Sequence, residues 1–247
     1  MKKVIDNFSE DSKLYQKFRP SYPQDLYDFI LEQVVDTSAV WDCGTGNGQV
    51  AKVLSTYFDH VEATDISEQQ LKAAPKLDNV NYGVCRAEKT TFEANTFSLI
   101  TVAQAIHWFD FKAFYEEVKR VAKPKSILAI WGYGLLKVSP EIDQHIQHFY
   151  TQIIGPYWNE ERRHIDTAYT SIQFPFEEVN TPSFSIPMLW ELSDLEGYLN
   201  TWSGVKRYEK ANAKNPVSNL IEVLTDLWPK GKKQAVESPI FTKIGRI

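Results

Sequence analysis

The residues of this chain best suited to chemistry are three closely spaced glycines and a carboxylate downstream of them. Gly44, Gly46 and Gly48 come shortly after Asp42, at the end of an apolar run that we interpret as a strand. Glycine has no Cβ atom, so this backbone can turn tightly and approach a ligand closely. Asp65 follows Gly46 by 19 positions (65 − 46 = 19), at the end of the next apolar run. A carboxylate at that place could accept hydrogen bonds from both hydroxyls of a ribose.

The spacing of the glycines indicates which kind of nucleotide-like cofactor could bind. The dinucleotide fingerprint G-x-G-x-x-G/A requires a small residue three positions after its second glycine. This chain has Gln49 there, and Gly48 comes one residue too early, so the pattern is G-x-G-x-G. Three glycines alone could form only a tight turn, but Asp65 at its spacing favours a cofactor site. A nicotinamide-dependent oxidoreductase would share the fold and the ribose carboxylate, and it remains an alternative that Gln49 argues against.

Two later predicted strands also end in residues that could line this site. The third ends near residues 85–88, where the backbone and a carboxylate could meet the edge of an adenine. The fourth ends at residues 103–109, which contain His107-Trp108-Phe109. The carboxyl ends of parallel strands share one edge of an open sheet, and ligands bind there. The His-Trp-Phe group could instead be the half-buried end of a strand, so both interpretations stay open.

Short apolar runs alternate with helical periodicity through the first half of the chain. Strands are predicted at residues 38–42, 60–65, 80–85, 97–104 and 127–131. Helices are predicted at residues 47–58, 67–71 and 110–122, and a further helix begins at Pro23. This alternation predicts an α/β fold with a doubly wound, mostly parallel, seven-stranded Rossmann-like sheet and helices on both faces. Residues 239–247 are expected to return to the sheet as a strand, after a cap of helices and strands over the site.

Four segments of this chain resemble class I S-adenosylmethionine-dependent methyltransferases. Their detail is similar to the methyltransferase type 11 or trans-aconitate methyltransferase-like subgroup. The segments are Tyr15 with residues 18–23, the loop at 42–48, residues 105–110, and residues 201–203. Residues 8–135 match in order and spacing, whereas the later third matches only in patches. One departure is the sequence at residues 124–126, Pro-Lys-Ser, where the family commonly has a Pro-Gly-Gly turn.

The resemblance implies S-adenosylmethionine as the cofactor and a role for each matched residue. Tyr15 and Arg19 would lie on an amino-terminal segment that folds over the cofactor as a lid. Asp42 would lie near the amino end of the cofactor, and Asp65 would hold its ribose. Ala87 and Glu88 would line the adenine, while Gln104 would face the methionine part. The predicted cofactor site comprises Tyr15, Arg19, Asp42, Gly44, Gly46, Asp65, Ile66, Ala87, Glu88 and Gln104.

The predicted reaction is in-line methyl transfer to a small molecule in a closed pocket walled by His107, Trp108 and Tyr133. A sulfonium donor is already activated, so the protein has mainly to align the donor and the acceptor and to exclude water. If the acceptor is a small carboxylic acid, as in the family this chain resembles, no base is needed. A cationic side chain would then anchor the acceptor, and Arg19, Arg163 and Arg207 are the candidates. Arg163 and its neighbours could equally form a solvated surface.

Charge and composition exclude several other classes of protein. Lys and Arg total 27 against 32 Asp and Glu, a net charge of −5 that offers no binding surface for nucleic acid. No apolar run approaches the roughly 18 residues of a membrane-spanning helix, and no signal peptide is expected. Cys43 and Cys85 are expected to be free thiols in a reducing compartment. These features predict a cytoplasmic monomer or homodimer without nucleic-acid or membrane partners.

The remaining expectations concern metals and domain organisation. His145 and His148 have a spacing that can share a metal ion, but no third ligand stands in a companion position, so no metal is predicted. Residues 1–135 are expected to form the cofactor-binding core with the lid. Residues 136–247 are expected to supply the acceptor-site insertion and to complete the sheet within one structural domain. A protein that binds S-adenosylmethionine without methylating anything is the second alternative, and the complete set of predicted cofactor residues argues against it.

Overall fold

A computed structural model describes residue 18 and residues 20–247. Tyr15 and Arg19, and with them the predicted lid, lie outside the described residues. The first half of the chain alternates strands and helices, as the hydrophobic pattern predicts. Its strands are β1 (Ala39–Cys43), β2 (His60–Asp65), β3 (Val80–Val84), β4 (Phe97–Ala103) and β5 (Ala122–Tyr133). Its helices are α1 (Gln24–Glu32), α2 (Gln49–Leu54), α3 (Glu68–Lys72) and α4 (Phe111–Val121).

The second half of the chain consists mainly of helices, followed by the last strand. Helix α5 (Pro140–His148) continues as a π-helical turn (Phe149–Ile153), and two 3-10 turns follow (Gly155–Tyr157 and Glu160–Arg162). The later helices are α6 (Arg163–Asp166), α7 (Leu192–Asn200), α8 (Ser203–Asn212) and α9 (Val217–Leu224). The later strands are β6 (Glu177–Glu178), β7 (Phe184–Trp190) and β8 (Gln234–Arg246).

The strands form one sheet in the order β3-β2-β1-β4-β5-β8-β6, and β7 also pairs with β8. Strands β1 to β5 are parallel, whereas β8 runs antiparallel to β5, β6 and β7. The predicted doubly wound, mostly parallel fold is therefore confirmed. The sheet has eight strands instead of the predicted seven because the edge beside β8 is divided in two. Pro182 lies in the break between β6 and β7, and proline cannot donate a ladder hydrogen bond.

Alternate residues of the central strands divide between two buried clusters, one for each face of the sheet. One cluster contains Trp41, Ile100 and Leu128 together with residues of α4. The other contains Val40 and Leu99 together with residues of α1 and α2. Successive side chains of a strand point to opposite faces, so this division follows from the pleat. Both faces are covered by helices, and the hydrophobic residues at the centre of the sheet are out of water.

A third buried cluster lies among the elements after β5. It joins residues of α5, α7, α8 and α9, including Ile146, Leu199 and Leu224, to Tyr133 at the end of β5. Burial of each large side chain of this kind is worth roughly 1.5–3 kcal/mol. The cap therefore has its own hydrophobic core, which is attached to the sheet through β5 and β8.

The start of β5 differs from the sequence prediction. Residues 123–125 were expected to separate α4 from a strand at 127–131, but β5 begins at Ala122, directly after α4. The four residues 123–126 lie opposite the single residue Ser98 of β4, so the strand bulges there. Lys125 has φ 66°, and its N–H donates to the carbonyl oxygen of Ile247 at 3.2 Å. The end of the chain thus supports the turn for which the family commonly uses glycines.

Candidate active site

The glycine loop begins where β1 ends and turns back toward α2. The backbone φ angles of Gly44, Gly46 and Gly48 are 71°, 58° and 79°. The N–H groups of Gly44 and Thr45 donate to the carbonyl oxygen of Thr64 on β2, at 2.8 and 2.9 Å. Only glycine adopts such left-handed conformations without steric cost, so the residue types follow from the shape of the turn.

The space around the loop shows which side of it can receive a ligand. A methyl group on Gly44 would lie 2.6 Å from Cβ of Ala105 and 3.4 Å from the ring of Phe109, so the loop packs against the segment that follows β4. Among the described residues, a methyl group on Gly46 would meet only the side-chain oxygen of Gln70, at 4.0 Å. Gly46 therefore faces open space, as the close approach of a cofactor requires.

Asp65 lies at the end of β2, directly beside the loop. Its Oδ2 accepts a hydrogen bond from the N–H of Gly46 at 2.9 Å, and its Oδ1 accepts one from the N–H of Ser67 at 2.9 Å. A carboxylate oxygen can accept more than one hydrogen bond, so these two contacts are compatible with further hydrogen bonds from hydroxyls. Ile66 follows with 40 % of its surface exposed and presents an apolar face beside Asp65. These positions fit an adenosine, and the individual contacts stay predictions.

Asp42 lies beneath the glycine loop, and its predicted place near the amino end of the cofactor stays a prediction. Its carboxylate is buried, and the hydroxyls of Thr45 and Thr101 donate to Oδ2 at 2.5 Å and to Oδ1 at 2.8 Å. Burial raises the pKa of Asp42 to about 6, against the opposing effect of the hydrogen bonds from Thr45 and Thr101. The carboxylate supports the loop. Its negative charge would act on the amino end of the cofactor across the loop, without a direct contact.

The carboxylate of Glu88 also has protein partners where a cofactor contact was predicted. Arg86 donates to it through Nε at 3.2 Å and Nη2 at 3.3 Å, and the N–H of Asp110 donates at 3.0 Å. Asp110 in turn caps α4 by accepting from the N–H of Ala113. Glu88 therefore joins the segment after β3 to the start of α4. Ala87, the residue before it, is buried, and the predicted contacts of Ala87 and Glu88 with the adenine stay predictions.

Gln104 connects the ends of β4 and β5. Its Oε1 accepts from the N–H of Tyr133 at 2.9 Å, and its Nε2 donates to the carbonyl oxygen of Tyr133 at 3.4 Å. The residue has φ 53°, and its own N–H donates to the carbonyl oxygen of Trp131 at 2.8 Å. The side-chain amide thus bonds to both backbone groups of Tyr133, and its predicted contact with the methionine part of the cofactor stays a prediction.

His107 lies in a 3-10 turn (Ile106–Trp108) directly after β4, and only 3 % of its surface is exposed. Its Nδ1 is 3.2 Å from the hydroxyl of Tyr169, and its ring centroid is 4.8 Å from that of Trp108. Burial, with a smaller effect of Tyr133, raises the pKa of Tyr169. The structure therefore places His107 against both Trp108 and Tyr169, while Tyr133 acts on Tyr169 electrostatically.

The sequence reasoning missed Tyr169. The residue is fully buried and has φ 59°, directly after Ala168 with φ 48°. Left-handed conformations of residues other than glycine cost on the order of 1–3 kcal/mol and occur often at functional sites. The Tyr169 N–H donates to the carbonyl oxygen of His164 at 2.8 Å, which holds the turn. An isolated tyrosine in a loop has no sequence pattern that could have revealed this position.

The proposed cationic anchors are not equivalent in the structure. Arg163 has 62 % of its side chain exposed, and its Nη1 donates to Glu160 at 2.5 Å, so it projects into solvent. This exposure agrees with the alternative of a solvated surface, and the role of Arg163 as an acceptor anchor is not tested. Arg207 lies half-buried on α8, and Arg19 lies outside the described residues. The neighbouring Arg162 is the arginine of this segment that packs among aromatic rings.

Two negative findings concern membranes and metals. Among residues 20–247, no helix is both long and apolar enough to cross a bilayer. In the same part of the chain, no three side chains of His, Cys, Asp or Glu come together in a way that could hold a metal ion. His145 and His148 are three positions apart on α5.

The glycine loop after β1 and the carboxylate at the end of β2 lie at one edge of an open α/β sheet. This arrangement is typical of enzymes that bind nucleotide-like cofactors. Residues 41–130 match a family described as a methyltransferase domain. A Dictyostelium discoideum protein whose name assigns it to the methyltransferases is 37 % identical over 90 % of this chain and 86 % of its own length. This chain belongs to the class I S-adenosylmethionine-dependent methyltransferases, and S-adenosylmethionine is its cofactor.

Two further similarities agree with this assignment. A solved structure from Anaeromyxobacter dehalogenans, named as a type II methyltransferase, has a TM-score of 0.85 and 33 % identity, covering 93 % of this chain and 98 % of that one. The Saccharomyces cerevisiae protein CRG1, whose name includes S-adenosylmethionine dependence, is 24 % identical over 66 % of this chain and 60 % of its own length. These similarities support the methyltransferase class without singling out the trans-aconitate subgroup.

Proposed function

We propose that this methyltransferase acts on a small carboxylic acid in a closed pocket walled by His107, Trp108 and Tyr133. The observation that carries the proposal is the contact between the glycine loop and the segment that bears His107. A methyl group on Gly44 would touch residues on both sides of His107. A methyl donor held by this loop would therefore lie beside the aromatic wall.

The described residues fit the cofactor at one edge of the sheet. Residues 44–48 would follow the methionine part, Asp65 would accept the ribose hydroxyls, and Ile66 and Ala87 would line the adenine. When bound, S-adenosylmethionine supplies a methyl group on a positively charged sulfur. The sulfur is the leaving group and keeps the electron pair of the broken bond. The charge of Asp42 beneath the loop would favour the cationic amino end of the ligand.

A carboxylate acceptor makes modest chemical demands on the pocket. Such an acceptor is already an anion at neutral pH, so no residue has to remove a proton. His107 would orient the acceptor, and the hydroxyl of Tyr169 would hold the His107 ring. The raised pKa of Tyr169 keeps that hydroxyl protonated at neutral pH. Aligning the reactants and excluding water can lower a barrier by about 7–11 kcal/mol.

We also propose that the acceptor side of the pocket belongs to residues 136–247, whereas residues 1–135 bind the cofactor. Tyr169 lies in the later region and reaches His107 in the earlier one, which supports this division. The separate hydrophobic core among α5, α7, α8 and α9 supports it as well. Both parts share one sheet, because β8 pairs with β5.

The cofactor contacts can be tested by calorimetry with S-adenosylhomocysteine. Asp65→Ala is expected to weaken binding by more than tenfold, because loss of a carboxylate that accepts two hydroxyls costs on the order of 1.5–3 kcal/mol. Asp78→Ala is the matched control, since Asp78 is an exposed aspartate outside the site. Equal affinities of the Asp65→Ala variant and the unaltered protein would refute the ribose assignment.

The acceptor class can be tested with a labelled methyl donor and a panel of small di- and tricarboxylates, phenols and amines. We expect transfer to carboxylates, with His107→Ala lowering the rate through poorer positioning. Activity confined to neutral phenols or amines would contradict the proposal. A rate that falls at low pH, as one group near 6.5 becomes protonated, would then identify His107 as a general base.

A further inference from the structure

The side chain of Arg162 is held in place by two aromatic rings. Its guanidinium carbon is 4.7 Å from the ring centroid of Trp158 and 5.3 Å from that of Tyr150. Its Nε donates to the hydroxyl of Tyr150 at 2.7 Å, and that hydroxyl donates to Asp166. Stacking on rings and a hydrogen bond at Nε together fix the plane of a guanidinium, so its other nitrogens have a defined direction.

The terminal nitrogens of Arg162 can still bind an anion. Within residues 20–247, no acceptor lies within hydrogen-bond distance of Nη1 or Nη2 of Arg162. Asp166 is 3.7 Å from Nε and has 47 % of its side chain exposed, compared with 21 % for Arg162. A guanidinium with both terminal nitrogens available can bind a carboxylate or a phosphate through two parallel hydrogen bonds.

Arg162 also lies on the acceptor side of the pocket. The 3-10 turn Glu160–Arg162 packs against the 3-10 turn Ile106–Trp108, which contains His107. The charge of Arg162 is felt by buried Tyr169, whose pKa it lowers against the larger opposite effect of burial. Tyr169 contacts His107. Arg162 therefore lies on a turn that packs against the turn of His107, and its charge reaches the tyrosine that contacts His107.

We propose that Arg162 determines acceptor specificity by binding an anionic group of the acceptor that is separate from the methylated atom. The inference rests on the proposed function, because it assumes that the methylated atom lies beside His107. A guanidinium that binds both oxygens of a carboxylate would occupy the nucleophile, so the anchored group and the reacting group are different. The acceptor is therefore a small molecule with two polar ends, of which the anchored one is a carboxylate or a phosphate-like anion.

Binding can be measured separately from catalysis by calorimetry on the full chain saturated with S-adenosylhomocysteine. The probes are the monoamides of dicarboxylates with three to eight carbons, the corresponding diamides, and amides of ω-phosphono acids of the same lengths. Each monoamide has a single anionic group, so its advantage over the diamide reports the anchor alone. We expect at least one monoamide or phosphonate to bind at least tenfold more tightly than its neutral diamide, and the tighter series identifies the anion. Equal binding of charged and neutral probes across the series would overturn the proposal.

Variants distinguish an anchor from a purely structural arginine. Arg162→Gln is expected to remove the preference for charged probes and to leave S-adenosylhomocysteine affinity within twofold, and Arg162→Lys to retain part of the preference. Arg163→Gln, at the adjacent exposed arginine, is the matched control and should change neither. Asp166→Asn should tighten anion binding severalfold, because it removes the charge that competes for Arg162. Unchanged or weaker anion binding by Asp166→Asn, or a preserved preference in Arg162→Gln, would contradict the proposal.

The same measurements separate this inference from the proposed function. Failure of the unaltered protein to bind S-adenosylhomocysteine would contradict the proposed cofactor contacts before any anion is tested. Anion binding that depends on Arg162, without methyl transfer to any carboxylate, would support the anchor and overturn the carboxylate acceptor.

Discussion

Asp42 shows how a single buried carboxylate can couple folding to the cofactor site. Its oxygens accept hydrogen bonds from Thr45 in the loop and Thr101 on β4, so the charge fixes the loop from below. Removal from water raises its pKa from 3.8 to about 6. A carboxylate with a raised pKa is less stable as an anion in the folded state than in the unfolded chain. The protein thus retains at neutral pH a charge that opposes folding and can favour a cationic ligand.

This cost predicts a pH-dependent effect of Asp42→Asn on stability. The favourable contribution of protonated Asp42 is complete below pH 3.8 and is lost as pH rises through about 6. Asparagine does not titrate, so the variant does not lose this contribution. Its free energy of unfolding, relative to that of the unaltered protein, should therefore rise by up to about 3 kcal/mol from pH 4 to pH 7.5. Urea denaturation at both pH values measures this change. A stability difference that is constant with pH, or one equally present in Asp78→Asn, would contradict the assignment.

The contact between Tyr169 and His107 leads to a second prediction at single residues. Tyr169→Phe removes the hydroxyl near Nδ1 of His107 but keeps the ring that packs 4.7 Å from the centroid of Phe241. We expect kcat to fall about tenfold, the magnitude of a hydrogen bond worth roughly 1–1.5 kcal/mol, while S-adenosylhomocysteine affinity stays within twofold. Steady-state kinetics across pH and calorimetry measure both effects. Tyr57→Phe, at an exposed tyrosine, is the control, and an unchanged kcat and pH profile in Tyr169→Phe would rule out a positioning role.

At the scale of elements, the site depends on contact between the turns that follow β1 and β4. Gly44 at the end of β1 lies against Ala105 after β4, while Gln104 joins β4 to the end of β5. These contacts place the glycine loop, His107 and Tyr133 at one edge of the sheet. The parallel arrangement alone brings strand ends together, but side-chain packing between turns determines the distances.

Substitution of Gly44 should therefore lower the free energy of unfolding by more than the left-handed backbone conformation alone explains. Gly44→Ala introduces a Cβ that would lie 2.6 Å from Ala105, at a residue with φ 71°. Gly231→Ala is a matched control, because Gly231 has φ 75° and no atom of the described residues would lie within 4 Å of its new Cβ. The control should lose about 1–2 kcal/mol of stability from the backbone term, and Gly44→Ala should lose more and also bind S-adenosylhomocysteine more weakly. Equal losses in the two variants would mean that the loop accommodates a side chain.

At the scale of the whole molecule, the cofactor and the fold stabilise each other. A ligand that binds only the folded state at 100 times its dissociation constant adds about 2.7 kcal/mol of stability. For a protein of this size, that energy corresponds to an increase in Tm of about 5–11 °C. We expect S-adenosylhomocysteine to produce this shift in thermal unfolding and oxidised nicotinamide dinucleotide to produce none. A comparable shift with the dinucleotide would contradict the selectivity that the G-x-G-x-G pattern predicts.

Local patterns in the sequence were sufficient to predict the sheet and the cofactor loop. Short apolar runs in the strands and a period near 3.6 in the helices depend only on residues close together in the sequence. The glycines and Asp65 are likewise identified by short spacings. The positions of β1 to β5 along the chain and the return of the last strand follow from these signals, whereas the division of the edge into β6 and β7 around Pro182 did not.

The roles of individual polar side chains were decided by tertiary structure. Asp42, Glu88 and Gln104 have partners at Thr101, Asp110 and Tyr133, all far away in the sequence. Arg162 and Arg163 are adjacent and chemically identical, yet one stacks on Trp158 and the other extends into solvent. A hydrogen bond or a stacked ring requires specific atoms to meet within a few ångströms, and only the packing of distant segments sets such distances. The sequence alone therefore determined the fold class and the cofactor, while the tertiary structure decided which polar side chains bond to other parts of the protein.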